Sequence, residues 1–313
     1  MRIAFRIDIS NEIGTGHYMR MSALAEAFAE LGHMFEFFKS ADEPVDYSGF
    51  DIIVLDSYEL SDEYIAGLNA PNRTLVCYDD NALYEYNCDI LLNANLYADE
   101  LSFKLAGKSP HMLLGGNYAL LRREFRESVP NTASDYANRV FVCFGGSDLR
   151  SMTARVVEAL QDIDGIQLSV VLGGYTTCDE DVFSVAGENT VVYKAPESIY
   201  EIMRYCDIAV ASSGSMIYEL AAIGLPSIII TQAENQFLIA EYMLRNGLMK
   251  CVGNWENVDF TFLKNEAELL LADASRRKLE SARLLRAVDK NGSFNAARKI
   301  IELHLAGTGC CYG

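Results

Sequence analysis

Apolar and polar positions along the chain follow two periods in turn. Short apolar runs at 2–7, 34–38, 51–55, 74–78 and 90–92 read as buried strands, and between them the spacing lengthens to that of a helix. Met21, Leu24, Ala27 and Phe28 share one face of a helix predicted over 17–31, and another is predicted over 62–68. The polar stretch 127–138, which contains Pro130, reads as a linker. The alternation then resumes, with strands at 139–144, 167–172, 190–193, 207–211 and 226–230. Helices are predicted from about 149 onward and over 196–205, 216–223 and 237–246, with a helical pattern from 260 to 305. Such repetition predicts an α/β fold of parallel sheets covered by helices. The expected division is a first domain at 1–130, a second at 138–305 and a tail at 306–313.

Polar residues collect where the strands end, which is where ligands gather in parallel sheets. The first strand runs through Arg6 and Asp8 into a turn with Gly14 and Gly16, and the next helix begins with His17 and Arg20. Glycine lets a backbone turn sharply and approach a ligand closely, and a helix start offers unpaired N–H groups to an anion. A histidine there is a candidate proton acceptor, its neutral form favoured by the helix dipole and opposed by any bound pyrophosphate. The same turn also fits a plain strand-to-helix connection with a capping histidine. Later strand ends carry Asp56-Ser57-Tyr58, Asp79-Asp80 and Asn93-Ala94-Asn95, and any one such residue is explained as well by turn or helix capping.

The second half repeats the theme. Gly145-Gly146-Ser147-Asp148 and Ser212-Ser213-Gly214-Ser215 each lie between a strand and a helix, so each is a candidate anion cradle. Glu219, four positions after Ser215, is placed to accept hydrogen bonds from two ribose hydroxyls, or is a helix-start carboxylate favoured by the dipole. Thr231-Gln232 and Glu234-Asn235-Gln236 close the next strand. Two glycine-rich halves suggest a ligand held between two domains.

Composition narrows the partners. With 26 basic and 44 acidic side chains the formal charge is −18, which repels nucleic acid and anionic membranes. No leader-like start and no membrane-length apolar run is evident, so a cytoplasmic protein without membrane insertion is expected. Eight cysteines show no C-x-x-C spacing, so buried free thiols are expected and no metal site.

Together the motifs resemble one family. Arg6-x-Asp8, Ile13-Gly14-x-Gly16-His17-x-x-Arg20, Asp56-x-Tyr58, Asp79-Asp80, Cys88-Asp89 through Asn93-x-Asn95, Tyr118 to Phe125 and Gly145-Gly146-Ser147-Asp148 stand in the order found in the UDP-2,4-diacetamido-2,4,6-trideoxy-β-L-altropyranose hydrolases. Ser213-x-Ser215, Glu219 and Asn235-Gln236 extend the likeness to about residue 250. These enzymes serve pseudaminic acid biosynthesis for bacterial surface glycans. The resemblance implies a GT-B fold, two Rossmann-like domains with an interdomain cleft, as in the glycosyltransferase MurG. It implies hydrolysis of a UDP-sugar at its anomeric carbon, with water as the second reactant and neither metal nor cofactor. His17 would be the general base, with Tyr58 and Asn235 near the sugar. Arg6, Asp8, Gly14, Gly16, Arg20, Gly146, Ser147, Ser213, Gly214, Ser215 and Glu219 would bind sugar or nucleotide. The chain would act as a monomer or weak oligomer. One departure stands out: Ser57 occupies a position that is usually histidine, which puts the identity of the hexose in question. Competing readings are a GT-B glycosyltransferase using a UDP-sugar donor and a non-catalytic UDP-sugar-binding subunit.

Overall fold

The computed structural model describes residues 1–8, 16–39, 45–58, 60–82, 85–107, 109–148, 150–177 and 179–308. Gly14, the proposed helix start near 149, Cys178 and the Cys310-Cys311 pair lie outside the described residues.

The chain forms two compact units, the first comprising Met1–Arg123 with Asp289–Gly313, the second Glu124–Val288. The first unit runs β1 (Arg2–Ile7), α1 (Gly16–Glu30), β2 (Met34–Lys39), β3 (Ile52–Asp56), α2 (Asp62–Gly67), β4 (Thr74–Tyr78), β5 (Glu85–Tyr86), β6 (Ile90–Asn93), β7 (Lys104–Leu105) and β8 (His111–Leu114). Its main sheet has the order β2-β1-β3-β4-β6-β8, with every pairing parallel. β3, β4 and β6 are buried along their whole length, which is why they read as unbroken apolar runs. One face of the sheet packs Ile3, Phe5 and Ile7 against Met21, Leu24 and Phe28 of α1. The other packs Ala4, Ile53 and Leu75 with Tyr47, Phe50 and Ile65.

After α3 (Arg123–Arg126) the second unit runs β9 (Arg139–Cys143), α4 (Met152–Leu160), β10 (Gln167–Leu172), α5 (Asp179–Val185), β11 (Thr190–Lys194), α6 (Tyr200–Met203) and β12 (Ile208–Ser212). It continues through α7 (Met216–Ile223), β13 (Ser227–Thr231), α8 (Phe237–Arg245), β14 (Lys250–Asn254), α9 (Phe260–Ala272) and α10 (Ala274–Ala287). This sheet is also parallel, in the order β11-β10-β9-β12-β13-β14.

The expected domain limits need correction. The helical pattern from 260 to 305 is three helices, and the third, α11 (Gly292–Thr308), belongs to the first unit. Ala296, Ala297 and Ile300 complete the core beside α1, and Gly292 has the backbone of Ala119 where a side chain would stand. Residues 306–308 are therefore helix rather than tail, and 124–130, expected in the first domain, go with the second unit. Among the described cysteines Cys77, Cys88, Cys143 and Cys206 are buried free thiols and Cys251 is half-buried.

Both sheets reverse direction of growth beside their first strand. In the first unit the chain lays β2 on one side of β1 and then β3 on the other; in the second it lays β10 and β11 on one side of β9 and then β12 on the other. A crevice opens at the carboxyl ends of strands at such a reversal, here β1 with β3 and β9 with β12.

Candidate functional site

In the first unit the reversal point is occupied by a knot of charged side chains. His17 and Arg20, one turn apart at the start of α1, both reach Asp56, the last residue of β3. His17 Nδ1 lies 2.8 Å from Asp56 Oδ1, and Arg20 Nε donates to Asp56 Oδ2 at 2.6 Å. Arg20 Nη2 donates to Asp56 Oδ1 as well, and it approaches His17 Nδ1 at 3.1 Å. A guanidinium has no lone pair to offer, so these are two donors side by side on one acceptor oxygen. With its proton on Nδ1 and given to Asp56, the neutral ring presents the Nε2 lone pair as a base.

Arg20 Nη1 continues to Asp80 Oδ2 at 2.9 Å, and its guanidinium lies 4.2 Å from the centroid of the Tyr78 ring. Asp80 also accepts from the Tyr58 hydroxyl at 2.8 Å and from Asn81 Nδ2 at 2.8 Å. The Tyr58 ring meets the His17 ring edge-on, centroids 4.6 Å apart at 86°. Asp79, by contrast, accepts the Asn81 backbone N–H at 2.9 Å and so closes a local turn.

Electrostatics fixes the charge states around the histidine. Burial pushes the Asp56 carboxyl upward, but Arg20 and His17 together more than offset it and hold the group below the usual carboxylate range. Burial lowers the Arg20 pKa, and Asp56 and Asp80 outweigh that and raise it well above its ordinary value. Burial, then Asp80, raises the Tyr58 phenol, so it serves as a donor at neutral pH rather than as a base. His17 is 4% exposed, yet its ring is ringed by these polar partners and belongs to neither apolar cluster of the unit.

Not every expected residue joins the knot through the contacts described. Arg6 points to the opposite face of the sheet, donating to the Tyr47 hydroxyl at 3.2 Å with its guanidinium 5.0 Å from the Tyr64 ring centroid. Gly16 starts α1 in helical conformation, and no described residue lies where it would meet a Cβ there. Asp8 is held between β3 and the following turn, its N–H donating to the Asp56 carbonyl at 3.1 Å and its Oδ2 accepting from the Tyr58 N–H at 2.6 Å.

The second unit gathers its loops in the same way. Gly145, at φ 86°, turns the chain out of β9, and Gly146 and Ser147 follow half-buried. Asp148 is turned inward, and its two oxygens accept the N–H groups of Met152 and Thr153 at 3.0 and 2.9 Å, capping α4. Ser213 is fully buried and donates to Gln236 Oε1 at 3.3 Å, while Ser215 is exposed just before α7 and Glu219 is half-buried in its first turn. Among the described residues none accepts the backbone N–H of Gly146, Ser147, Gly214 or Ser215. Asn235 lies exposed in a 3₁₀ turn before α8.

Several residues that matter here were not singled out as site residues from sequence. Asp56 and Asp80 were visible only as parts of motifs. Gln236 accepts the Gln232 N–H at 2.9 Å as well as Ser213, and Gln232 Nε2 donates to Asp148 Oδ1 at 3.1 Å, so two glutamines lace three loops together. The polar run after β13 was the signal, though it favoured Asn235. The Gly173-Gly174-Tyr175 loop after β10 also packs here: Tyr175 N–H donates to the Gly146 carbonyl at 3.0 Å.

Two parallel, Rossmann-like units with loops gathered at each reversal point define a GT-B protein. Solved structures agree. MurG of Acinetobacter baumannii superposes with a TM-score of 0.65 at 12% identity over 96% of this chain and 99% of its own. The glycosyltransferase VinC, solved with dTDP, gives 0.65 at 12% identity over 98% and 100%. In sequence the chain is similar to the UDP-2,4-diacetamido-2,4,6-trideoxy-β-L-altropyranose hydrolase of Campylobacter jejuni, at 24% identity over 276 residues, 79% of this chain and 97% of that enzyme. It is similar also to an uncharacterized protein of Methanocaldococcus jannaschii, 23% identical over 274 residues, and spans 57% of that protein's length. A Helicobacter pylori protein named for the same hydrolase and a cytidylyltransferase matches at 23% over 76% of this chain and 46% of its own. No family model matches the chain. Among the described residues no helix is long and apolar enough to cross a membrane.

Proposed function

We propose that the protein hydrolyses a UDP-linked 2,4-diacetamido-2,4,6-trideoxy hexose at the anomeric carbon, releasing UDP and the free sugar. The observation that carries this reading is the His17–Asp56 pair: a carboxylate holding Nδ1–H leaves Nε2 as an acceptor at the reversal point of the first sheet. In the proposed step His17 Nε2 takes a proton from water, the water oxygen bonds to C1, and the C1–O bond breaks with its electron pair leaving on UDP. The imidazolium so formed is stabilised by Asp56. A base placed within reach of the attacking water contributes roughly 10²–10⁴-fold. The N–H groups of Gly146, Ser147, Gly214 and Ser215, which find no acceptor among the described residues, support binding of the diphosphate in the second unit, with Glu219 near the ribose. The similarity to the Campylobacter hydrolase supports the choice of sugar.

Turnover in ¹⁸O-water tests the reaction. Label is expected in the free sugar and not in UDP, and His17→Asn is expected to lower kcat by about 10²–10⁴-fold with UDP affinity kept. A glycosyltransferase, the second reading supported by the GT-B neighbours, would leave the UDP-sugar intact until an acceptor alcohol is added.

A further inference from the structure

We infer that Asp8 reads the sugar, its Oδ1 accepting a hydrogen bond from an amide N–H or hydroxyl of the ligand beside His17. The inference rests on the functional reading above and adds to it the residue that recognises the sugar's donors.

Asp8 is 3% exposed and follows β1 directly. Its carboxylate is fixed through Oδ2, which accepts the Tyr58 N–H at 2.6 Å. Oδ1 is buried too and has no hydrogen-bond partner among the described residues. A buried carboxylate oxygen without a donor is strongly unfavourable, and one held so at the carboxyl end of β1 is placed to accept from a ligand. Arg20, which binds the side chain of Asp56 on the adjacent strand, is divided between Asp56 and Asp80. Tyr58 joins the two sites directly: its backbone binds Asp8, and its ring stands 4.6 Å from that of His17. A donor on Asp8 therefore lies within one residue's span of the proposed base.

Charge selects which part of the ligand this is. Among the described residues at these strand ends the carboxylates of Asp8, Asp56 and Asp80 outnumber the guanidinium of Arg20. An excess of carboxylate repels phosphate and accepts a neutral fragment rich in donors. A diacetamido sugar carries such donors, and its diphosphate does not.

Asp8→Asn is the informative substitution. Tyr58 N–H still requires an oxygen, so the new amide must turn its NH₂ toward the ligand, and an acceptor becomes a donor. Binding is measured by calorimetry for UDP and for the UDP-linked diacetamido trideoxy sugar, with turnover suppressed by His17→Asn in both proteins. The UDP-sugar Kd is expected to rise about 10- to 100-fold while the UDP Kd stays within about twofold. Unchanged UDP-sugar affinity, or equal weakening of both ligands, overturns the inference. The unsubstituted chain gives an independent arm: UDP-sugars lacking one donor at a time should include one that loses about tenfold or more in affinity, and a series without such a loss also overturns it. Sugar-dependent binding by Asp8 with no release of free sugar would remove the hydrolase reading and leave this one standing.

Discussion

Asp56 accepts from His17 and Arg20 at once, and that sharing decides what the histidine can do. Arg20 keeps the carboxylate ionised despite complete burial, and in the proposed mechanism that carboxylate holds the imidazole proton on Nδ1. Asp56→Asn preserves the volume but can offer Nδ1 a donor in place of an acceptor, which turns Nε2 into the protonated nitrogen. Its kcat is expected to fall by about 10²–10⁴-fold, as for loss of the base itself. Steady-state kinetics checks this, and a kcat within a few-fold of the parent would mean that the tautomer is not what matters. Tyr58→Phe isolates the other arm of the knot. It keeps the ring against His17 but loses the hydroxyl bond to Asp80, and a drop of about 1–2 kcal/mol in denaturant unfolding is expected.

The loops between elements show that similar glycines do different work. Gly173 stands where a Cβ would overlap the backbone of Gly146, so the turn after β10 can lie against the turn after β9 only without a side chain. Gly173→Ala must push those loops apart, at about 1–3 kcal/mol and with loss of nucleotide affinity, read by thermal unfolding and UDP titration. No described residue crowds Gly16, so Gly16→Ala is expected to leave the thermal unfolding midpoint unchanged, and an effect on turnover then reports space used by a ligand. Spacing alone could not separate these two cases, because in the sequence both glycines follow a strand closely. What separates them is which backbone crosses beside them.

Across the whole molecule, the last helix ties the chain's end to its beginning. His304 of α11 is buried with Nδ1 2.9 Å from the Thr74 hydroxyl, and burial lowers its pKa from the ordinary 6.5, opposed by Asp51 and assisted by the N-terminal ammonium. The folded protein therefore binds this proton less readily than the unfolded chain does. The stabilisation is complete above about pH 6.5 and is lost as pH falls from there through the folded value. Melting temperature followed from pH 8 to pH 5 should decline below about 6.5, and His304→Gln should flatten part of that decline. The α/β class, the central strands, α1 with His17 in its first turn and the glycine turns of the second unit were legible in the sequence, because apolar periodicity and turn chemistry are local and each strand end advertises its polar residues. The sequence could not determine that Asp56 holds His17, that two glutamines lace the second set of loops, or that α11 leaves the segment preceding it to complete the first core. Those depend on which strand ends the sheet order sets side by side and on which apolar face was still uncovered, and distance along the chain carries no record of either.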